Sequence, residues 1–326
     1  MLRYILLSIL CALISSALPA AVYVPPEAVS PDMPPEALTA QAPPDGGGTI
    51  TLLREGEIAA LPLEEYLVGA VAGEMPASFH PQALRAQAAA CRTFALRRQS
   101  EGAPAHPEAA VCADPGCCQV WLSEAERAER WGDSFGIYET AVRAAVEDTA
   151  GFCLVYRGEP ILACFHASSP GVTESSGAVW GTALPYLVSV DTPEGAGDVP
   201  DFVTSAALSP DELRRGVRQI DPGAPFDGPP ETWVGERVLD MGGRVAAIRL
   251  GGAAVPGAAV RQVFSLRSAC FTLEWTGEQF VFTVEGSGHG VGMSQYGAQV
   301  LALQGADWRE ILAHYYPGAE LSELSG

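Results

Sequence analysis

Basic residues are scarce in this 326-residue chain. Its 19 arginines, with no lysine, stand against 39 acidic residues, and the formal net charge is −20. A nucleic-acid partner requires a basic face that attracts the phosphate backbone, so the composition excludes that class. The solubility that a large net charge provides is sufficient to explain this excess of acidic residues. Any anionic ligand must therefore be bound by local arginines that act against the overall field.

Long apolar runs are also absent after residue 24. Before that point, Arg3 is followed by an apolar run that ends at Pro19. The run approaches the roughly 20 residues that span a bilayer, and Ala20-Ala21 also fits a cleavage site. We predict that residues 1–24 are a signal anchor or signal peptide. The rest of the chain is then extracytoplasmic, anchored to the cell membrane by this segment or secreted if it is cleaved.

No internal repeat is visible, and two composition classes follow the N-terminal segment. Residues 25–48 are rich in Pro, Ala and Gly and cannot bury a core, so they are predicted to be an extended linker. Residues 49–322 have the composition of a globular protein, and their length suits one large domain or two closely packed ones. Hairpin patterns there alternate with separate helical patterns. This mixture predicts an α+β fold that forms a cleft, rather than a doubly wound sheet.

The eight cysteines lack the regular spacing of a disulfide framework. Four of them lie in helical or strand-like patterns and are predicted to be small buried hydrophobes, with a Cys153–Cys164 bridge as an alternative. These four are Cys91, Cys153, Cys164 and Cys270.

A loop between residues 101 and 119 collects soft metal ligands. They are His106, Cys112, Cys117 and Cys118. A tetrahedral zinc ion would hold such a loop in place, although the spacing is not that of a standard zinc finger. Unpaired thiols or a disulfide are the alternatives. Outside the cytosol, clustered thiols without a metal are prone to oxidation.

Glu74 lies where one helical pattern ends and the next has not begun. Gly73 and Pro76 break the helix, while Met75 and Phe79 supply apolar neighbours. Such a carboxyl would be partly desolvated, which raises its pKa and suits a general acid near neutral pH. The alternative is a solvated loop carboxylate.

Arg85 and Arg92 are seven residues apart on the next predicted helix, which places them on one stripe, with Gln87 on another face. Arg92 lies in an otherwise packed stretch and needs an anionic partner, either Glu74 or a substrate carboxylate. Because an arginine touching Glu74 would lower the pKa of that acid, we expect both arginines to bind substrate. Exposed helix cations are the alternative.

Two further motifs offer donors and acceptors to sugar hydroxyls. The first motif, residues 166–171, ends a predicted strand. The second, residues 288–296, is rich in glycine, which permits close backbone approach to a ligand. The glycine-rich motif does not fit a dinucleotide fingerprint, and turn glycines with a satisfied histidine are the alternative for each motif. The candidate contacts are His166, Ser168, Ser169, His289, Ser294 and Gln295, together with Gln87.

Several segments together resemble the stage II sporulation protein D family over residues 49–321. They are LEEYLVGAVAGEMPASFHPQALRAQAAACRTFAL, the His-x5-Cys-x5-Cys loop, HASSPGVTESSGAVWG, LRSACFTL and GHGVGMSQYGAQVLALQG. That family groups sporulation lytic transglycosylases with related amidase-enhancer proteins. The resemblance implies that Glu74 is the catalytic glutamate.

The resemblance also carries over other positions. It implies that Arg85, where relatives more often have lysine, and Arg92 are basic site residues. It implies that His106, Cys112 and Cys118 bind a metal, while Cys117 stands where relatives often have histidine. Ser169-Pro170-Gly171 departs from the family's more usual S-x-G-G.

The function implied by the resemblance is cleavage of peptide-stripped glycan strands to 1,6-anhydromuramic ends during forespore engulfment. Hydrolysing glycosidases need two carboxylates, whereas this chemistry needs one, which fits a solitary glutamate. The implied partners are a cell-wall amidase and a membrane protein of the engulfment machinery, and the zinc would be structural. The alternatives are a non-catalytic glycan-binding enhancer of an amidase and a zinc hydrolase.

Overall fold

The structure is a computed structural model that describes residues 48–324. The predicted N-terminal segment, and the linker up to residue 47, lie outside the described residues. None of the helices within the described range has the length and apolar character needed to cross a bilayer.

Short strands alternate with helices throughout the described chain, which confirms the predicted mixture of α and β elements. The strands are β1 (Thr49–Arg54), β2 (Glu57–Pro62), β3 (Val111–Cys112), β4 (Phe152–Tyr156), β5 (Glu159–Pro160), β6 (Phe165–His166), β7 (Val203–Leu208), β8 (Val234–Leu239), β9 (Val245–Leu250), β10 (Ala253–Pro256), β11 (Phe271–Trp275), β12 (Phe280–Glu285), β13 (Met293–Ser294) and β14 (Glu320–Glu323). The helices are α1 (Leu63–Glu74), α2 (Pro81–Glu101), α3 (Glu124–Trp131), α4 (Phe135–Asp148), α5 (Ser176–Trp180), α6 (Pro210–Ile220), α7 (Gly257–Val263), α8 (Gln295–Leu303) and α9 (Trp308–Tyr315).

Helix α2 is the centre of the larger of two hydrophobic cores. Its start is set by Pro81 in the first turn and by His80, whose Nδ1 accepts the backbone N–H of Gln82. Buried alanines along the helix let α1, α4, α8 and α9 approach closely. The sheets β2-β1-β3 and β14-β4-β5 flank this bundle.

The smaller core lies between β7 and β12 in the sequence. Two three-stranded sheets, β11-β12-β7 and β10-β9-β8, enclose aromatic side chains that include Phe226, Trp233 and Phe280. Strand β6 then pairs in parallel with β13, with His166 opposite Ser294. This pairing brings the two predicted sugar-contact motifs together.

Residues 152–156 and 160–165 have the sequence pattern of a hairpin, and this hairpin forms only in part. Strand β5 stops at Pro160, and the chain turns so that β6 joins β13 instead. The backbone oxygen of Cys164 then accepts the Met293 N–H and the Tyr316 hydroxyl. The alternative Cys153–Cys164 bridge is wrong, because both cysteines are free thiols.

Candidate active site

A cleft of about 520 Å³ lies where α7 of the smaller core faces the larger core. It combines one carboxylate, two histidines, two arginines and several aromatic side chains. Its polar and aromatic lining consists of Glu74, Phe94, Arg98, Cys117, Cys118, Gln119, Phe165, His166, Trp180, Arg261 and His289. The cleft therefore brings Glu74 together with both predicted sugar-contact motifs.

Glu74 is the last residue of α1, and two contacts fix its position. Its Oε1 accepts the backbone N–H of Val120 at 2.6 Å, and its backbone oxygen accepts the Gln295 side-chain amide at 2.9 Å. The acid is thus held by a loop 46 residues away and by the start of α8.

Two glycines on α1 bring Val120 close to Glu74. A Cβ on Gly73 would lie 2.6 Å from the Val120 oxygen, and one on Gly69 would lie 2.2 Å from Trp121 Nε1. Because Gly69 and Gly73 are one turn apart, the segment following the cysteine loop packs against the bare helix backbone. This close packing lets the Val120 N–H reach the carboxylate.

Glu74 is half-buried at the cleft, and this partial desolvation sets the pKa of its carboxyl. Burial raises the pKa of its carboxyl to about 7, against the opposing effect of the hydrogen bond from Val120. Within residues 48–324 no arginine forms an ion pair with Glu74. The carboxyl is therefore partly protonated near neutral pH, as a general acid requires.

His166 and His289 form a neutral wall of the cleft, with ring centroids 5.8 Å apart. Burial lowers the pKa of His166 well below its ordinary value, and burial together with Arg261 and Arg244 lowers that of His289 to about 4. The wall needs Gly288, whose φ is +108° and whose Cβ would lie 2.7 Å from the Cβ of His166. These imidazoles offer hydrogen bonds rather than charge.

Three of the predicted sugar contacts lie behind that wall and are buried: Ser168, Ser169 and Ser294. The Ser169 hydroxyl lies 2.6 Å from His166 Nε2 and accepts a hydrogen bond from Arg244 at 2.9 Å. Ser294 caps α8 and donates to Glu194. The contacts of Ser169 and Ser294 fit support of the wall rather than contact with a ligand.

The two glutamines are also buried. Gln295 donates to the Glu74 backbone oxygen and, at 3.3 Å, to Gln87, which in turn donates to Cys91. This chain of amides links the beginning of α8 to the core of α2. It orients the backbone at Glu74.

Arg85 and Arg92 lie outside the cleft lining. Arg85 pairs with Asp148 at 2.6 Å on the exposed side of α2. Arg92 is fully buried, as its packed surroundings suggested, but its partner is Glu64, reached at 2.5 Å. The expectation that Glu74 or a substrate carboxylate pairs with Arg92 is therefore corrected, because the start of α1 supplies the anion.

The cleft contains side chains that the sequence did not single out. Arg98 and Phe94 come from the end of α2, Trp180 ends α5, and Arg261 comes from α7. Residues 237–261 alternate like strands separated by glycines, and this pattern hid the helix that carries Arg261. For Arg98, the local sequence signal was its position next to Arg97 near the end of a predicted helix.

The predicted metal ligands cluster beside the cleft. One donor atom each from His106, Cys112, Cys117 and Cys118 lies within 4.8 Å of the others. The Nδ1 of His106 is 2.9 Å from the Ala109 oxygen, and its Nε2 is 3.3 Å from the Cys118 sulfur. A ring that donates through Nδ1 keeps the Nε2 lone pair for a metal, so the donor set fits tetrahedral zinc.

The cluster is joined directly to the support of Glu74. Strand β3 pairs with β1 and places Cys112, and Cys118 lies two residues before Val120. The intervening Gln119 is held by the Tyr66 hydroxyl at 2.9 Å. An ordered cysteine loop therefore fixes the N–H that holds the acid.

Together these features define a class: a two-core α+β domain with a single half-buried glutamate at a cleft and a Cys/His loop beside it. A family model described as "Stage II sporulation protein" matches residues 54–156. The stage II sporulation protein D of Bacillus subtilis is 37% identical over 265 residues, which is 81% of this chain and 75% of that protein. The chain belongs to the stage II sporulation protein D family.

Two further relatives extend the comparison. The stage II sporulation protein D of Bacillus amyloliquefaciens is 36% identical over 265 residues, with 81% of this chain and 75% of that protein covered. A Bacillus subtilis protein named amidase enhancer is 27% identical over 307 residues, which is 78% of this chain and 40% of that protein. The similarity thus reaches both branches that the sequence motifs suggested.

Proposed function

We propose that this protein acts on the cell wall during sporulation as a lytic transglycosylase that cleaves peptide-stripped glycan to 1,6-anhydromuramic ends. The observation that carries the proposal is Glu74, a half-buried carboxyl with a pKa of about 7 in the cleft. Among the described residues, the cleft lining holds no second carboxylate. Hydrolytic glycosidases need such a pair, so a one-acid reaction fits best.

In the proposed reaction Glu74 acts twice. Its proton passes to the glycosidic oxygen as the bond from that oxygen to C1 of the muramic residue breaks. The resulting carboxylate then accepts the proton of the 6-hydroxyl while O6 bonds to C1, so no water is consumed and the acid is regenerated. The Val120 hydrogen bond occupies Oε1, which leaves Oε2 to exchange the proton.

The position of the chain in the cell belongs to the same proposal. Residues 1–24 would anchor the domain outside the cytoplasm, and residues 25–48 would tether it. A cell-wall amidase would supply peptide-free strands, since peptide removal must precede this cleavage, and a membrane protein of the engulfment machinery would bind beside it. Similarity to a protein named amidase enhancer supports this link.

Zinc is proposed as a structural ion held by His106, Cys112, Cys117 and Cys118. Four protein ligands complete a tetrahedral site, whereas a catalytic zinc keeps an open position. The proposal therefore favours the glutamate reaction over a zinc hydrolase. When bound, the ion would fix the loop whose continuation holds Glu74.

Product analysis tests the reaction directly. Purified protein incubated with peptide-free glycan should give fragments that end in 1,6-anhydromuramic acid, identified by mass spectrometry. Reducing ends in their place would show hydrolysis and contradict the mechanism. Binding of glycan without any new ends would instead support the non-catalytic enhancer.

The pH dependence of the proposed reaction follows from the protonation state that Glu74 must have at its start. Its carboxyl is raised to a pKa of about 7 by burial, and the reaction begins from the protonated form. We therefore expect kcat/KM to be level below that value and to fall about tenfold per pH unit above it. Lactyl carboxylates of the substrate ionise far lower and do not titrate in this window. A profile that stays level through pH 9 would contradict the assignment.

A further inference from the structure

Two arginines in the cleft have no anionic partner within the described part of the chain, although the full sequence carries 39 acidic residues. Within residues 48–324 neither Arg98 nor Arg261 forms an ion pair, and the Nε of Arg98 is buried without a hydrogen-bond partner. Eight other arginines are paired with carboxylates: Arg54, Arg85, Arg92, Arg97, Arg127, Arg143, Arg214 and Arg244. Unpaired cations that are half-buried in a cleft are suited to an anionic ligand.

The two charges come from different cores. Arg98 lies in the last turn of α2, with its guanidinium 5.2 Å from the centre of the Phe94 ring. Its charge acts on Cys117 and Cys164, whose pKa values it lowers against the effect of burial.

Arg261 comes from α7 of the smaller core and lies on the histidine side of the cleft. Its charge acts on His166 and His289. Neither Arg98 nor Arg261 affects the pKa of Glu74, so both can bind an anion without spoiling the acid.

An aromatic surface completes this part of the cleft. Trp180 is 45% exposed, and its ring centroid lies 5.4 Å from that of His289. Exposed aromatic rings beside a few fixed polar groups are typical of ligand clefts, and the face of a sugar ring fits such a surface.

We infer that Arg98 and Arg261 bind the lactyl carboxylates of the glycan and thereby set a preference for peptide-free strands. The inference rests on the proposed function for its ligand class. Where the stem peptide is present, that carboxyl is an uncharged amide. Where it has been removed, every muramic residue carries one negative charge, and two cations on two walls can bind two of them.

Binding measurements on the full chain test this assignment without turnover. In a Glu74→Gln background, Arg98→Gln and Arg261→Gln should each weaken binding of peptide-free glycan by about tenfold, as expected for loss of a charge-assisted hydrogen bond. Affinity for an uncharged chitooligosaccharide of equal length should not change, which also shows that the cleft remains folded. Arg98→Lys, which keeps the charge, should recover part of the affinity.

Arg215→Gln is the matched control, since Arg215 is an exposed arginine on α6 and its replacement changes the net charge equally. It should leave both affinities unchanged. Equal weakening for the charged and uncharged ligands, or no weakening beyond the Arg215 control, would overturn the inference.

These results separate the inference from the proposed reaction. A carboxylate-dependent loss of binding supports the arginine assignment even if the wild type produces no anhydro ends. If the wild type produces them but the variants bind normally, the arginine assignment fails while the reaction stands.

Discussion

Glu74→Gln is expected to reduce the formation of 1,6-anhydromuramic ends by about a thousandfold. Glutamine keeps the size of the side chain and can retain the hydrogen bond that Val120 donates to Oε1. It cannot protonate the glycosidic oxygen or accept the proton of the 6-hydroxyl. General acid–base catalysis by one group contributes about 10² to 10⁴ in rate, and here a single group serves both steps.

The control for this variant is Glu129→Gln, which removes an exposed carboxylate on α3 and should leave the rate unchanged. The rate is measured by counting anhydro ends released from peptide-free glycan over time. Glycan affinity should stay within a factor of about two of wild type, because the exchange removes no packing. A variant that keeps more than a tenth of wild-type turnover would exclude Glu74 as the acid.

The environment of Glu74 could be predicted because its determinants are local. Gly73 and Pro76 end the helix beside Glu74, and apolar Met75 and Phe79 flank the break. The sequence predicted a raised pKa from these neighbours, and burial raises it to about 7. The loop that supports the acid was not predictable, because the contact with Val120 depends on the packing of α1 against a distant segment.

For the arginines, by contrast, the contacts could not be predicted from the sequence. Position on a helix was predictable for Arg85 and Arg92, but their partners Asp148 and Glu64 lie 63 and 28 residues away. An arginine that is already paired in the fold and one that is free for a ligand look identical in the sequence. Arg261 was harder to identify, because the structure has a helix where the sequence pattern indicates a strand.

The sequence predicted which residues of the cysteine loop cluster, but it did not predict the connection of this loop to Glu74. Four soft ligands within residues 106–118 predicted the cluster, and their donor atoms do converge. The spacing of these residues does not show that the loop continues to Val120, whose backbone N–H holds Glu74. Under the proposed reaction, that link would make turnover depend on the state of the cysteines.

Cys112→Ser is therefore expected to remove zinc and to reduce turnover together. Wild-type protein should contain about one zinc ion per chain by elemental analysis, because four ligands converge on one point. Loss of one thiolate ligand should weaken zinc binding by at least about a hundredfold and lower the melting temperature. Turnover should fall with zinc content, since Val120 then loses its fixed place beside Glu74.

Cys270→Ser is the matched control, because Cys270 is a partly exposed free thiol of the smaller core, outside the cluster. It should keep its zinc, its melting temperature and its activity. Cadmium prefers the same thiolate ligands, so wild-type protein loaded with cadmium should retain most of its turnover if the ion is structural. A protein whose activity follows the identity of the metal would require a catalytic ion. Wild-type protein that stays active without bound metal would show that the thiols hold the loop unaided.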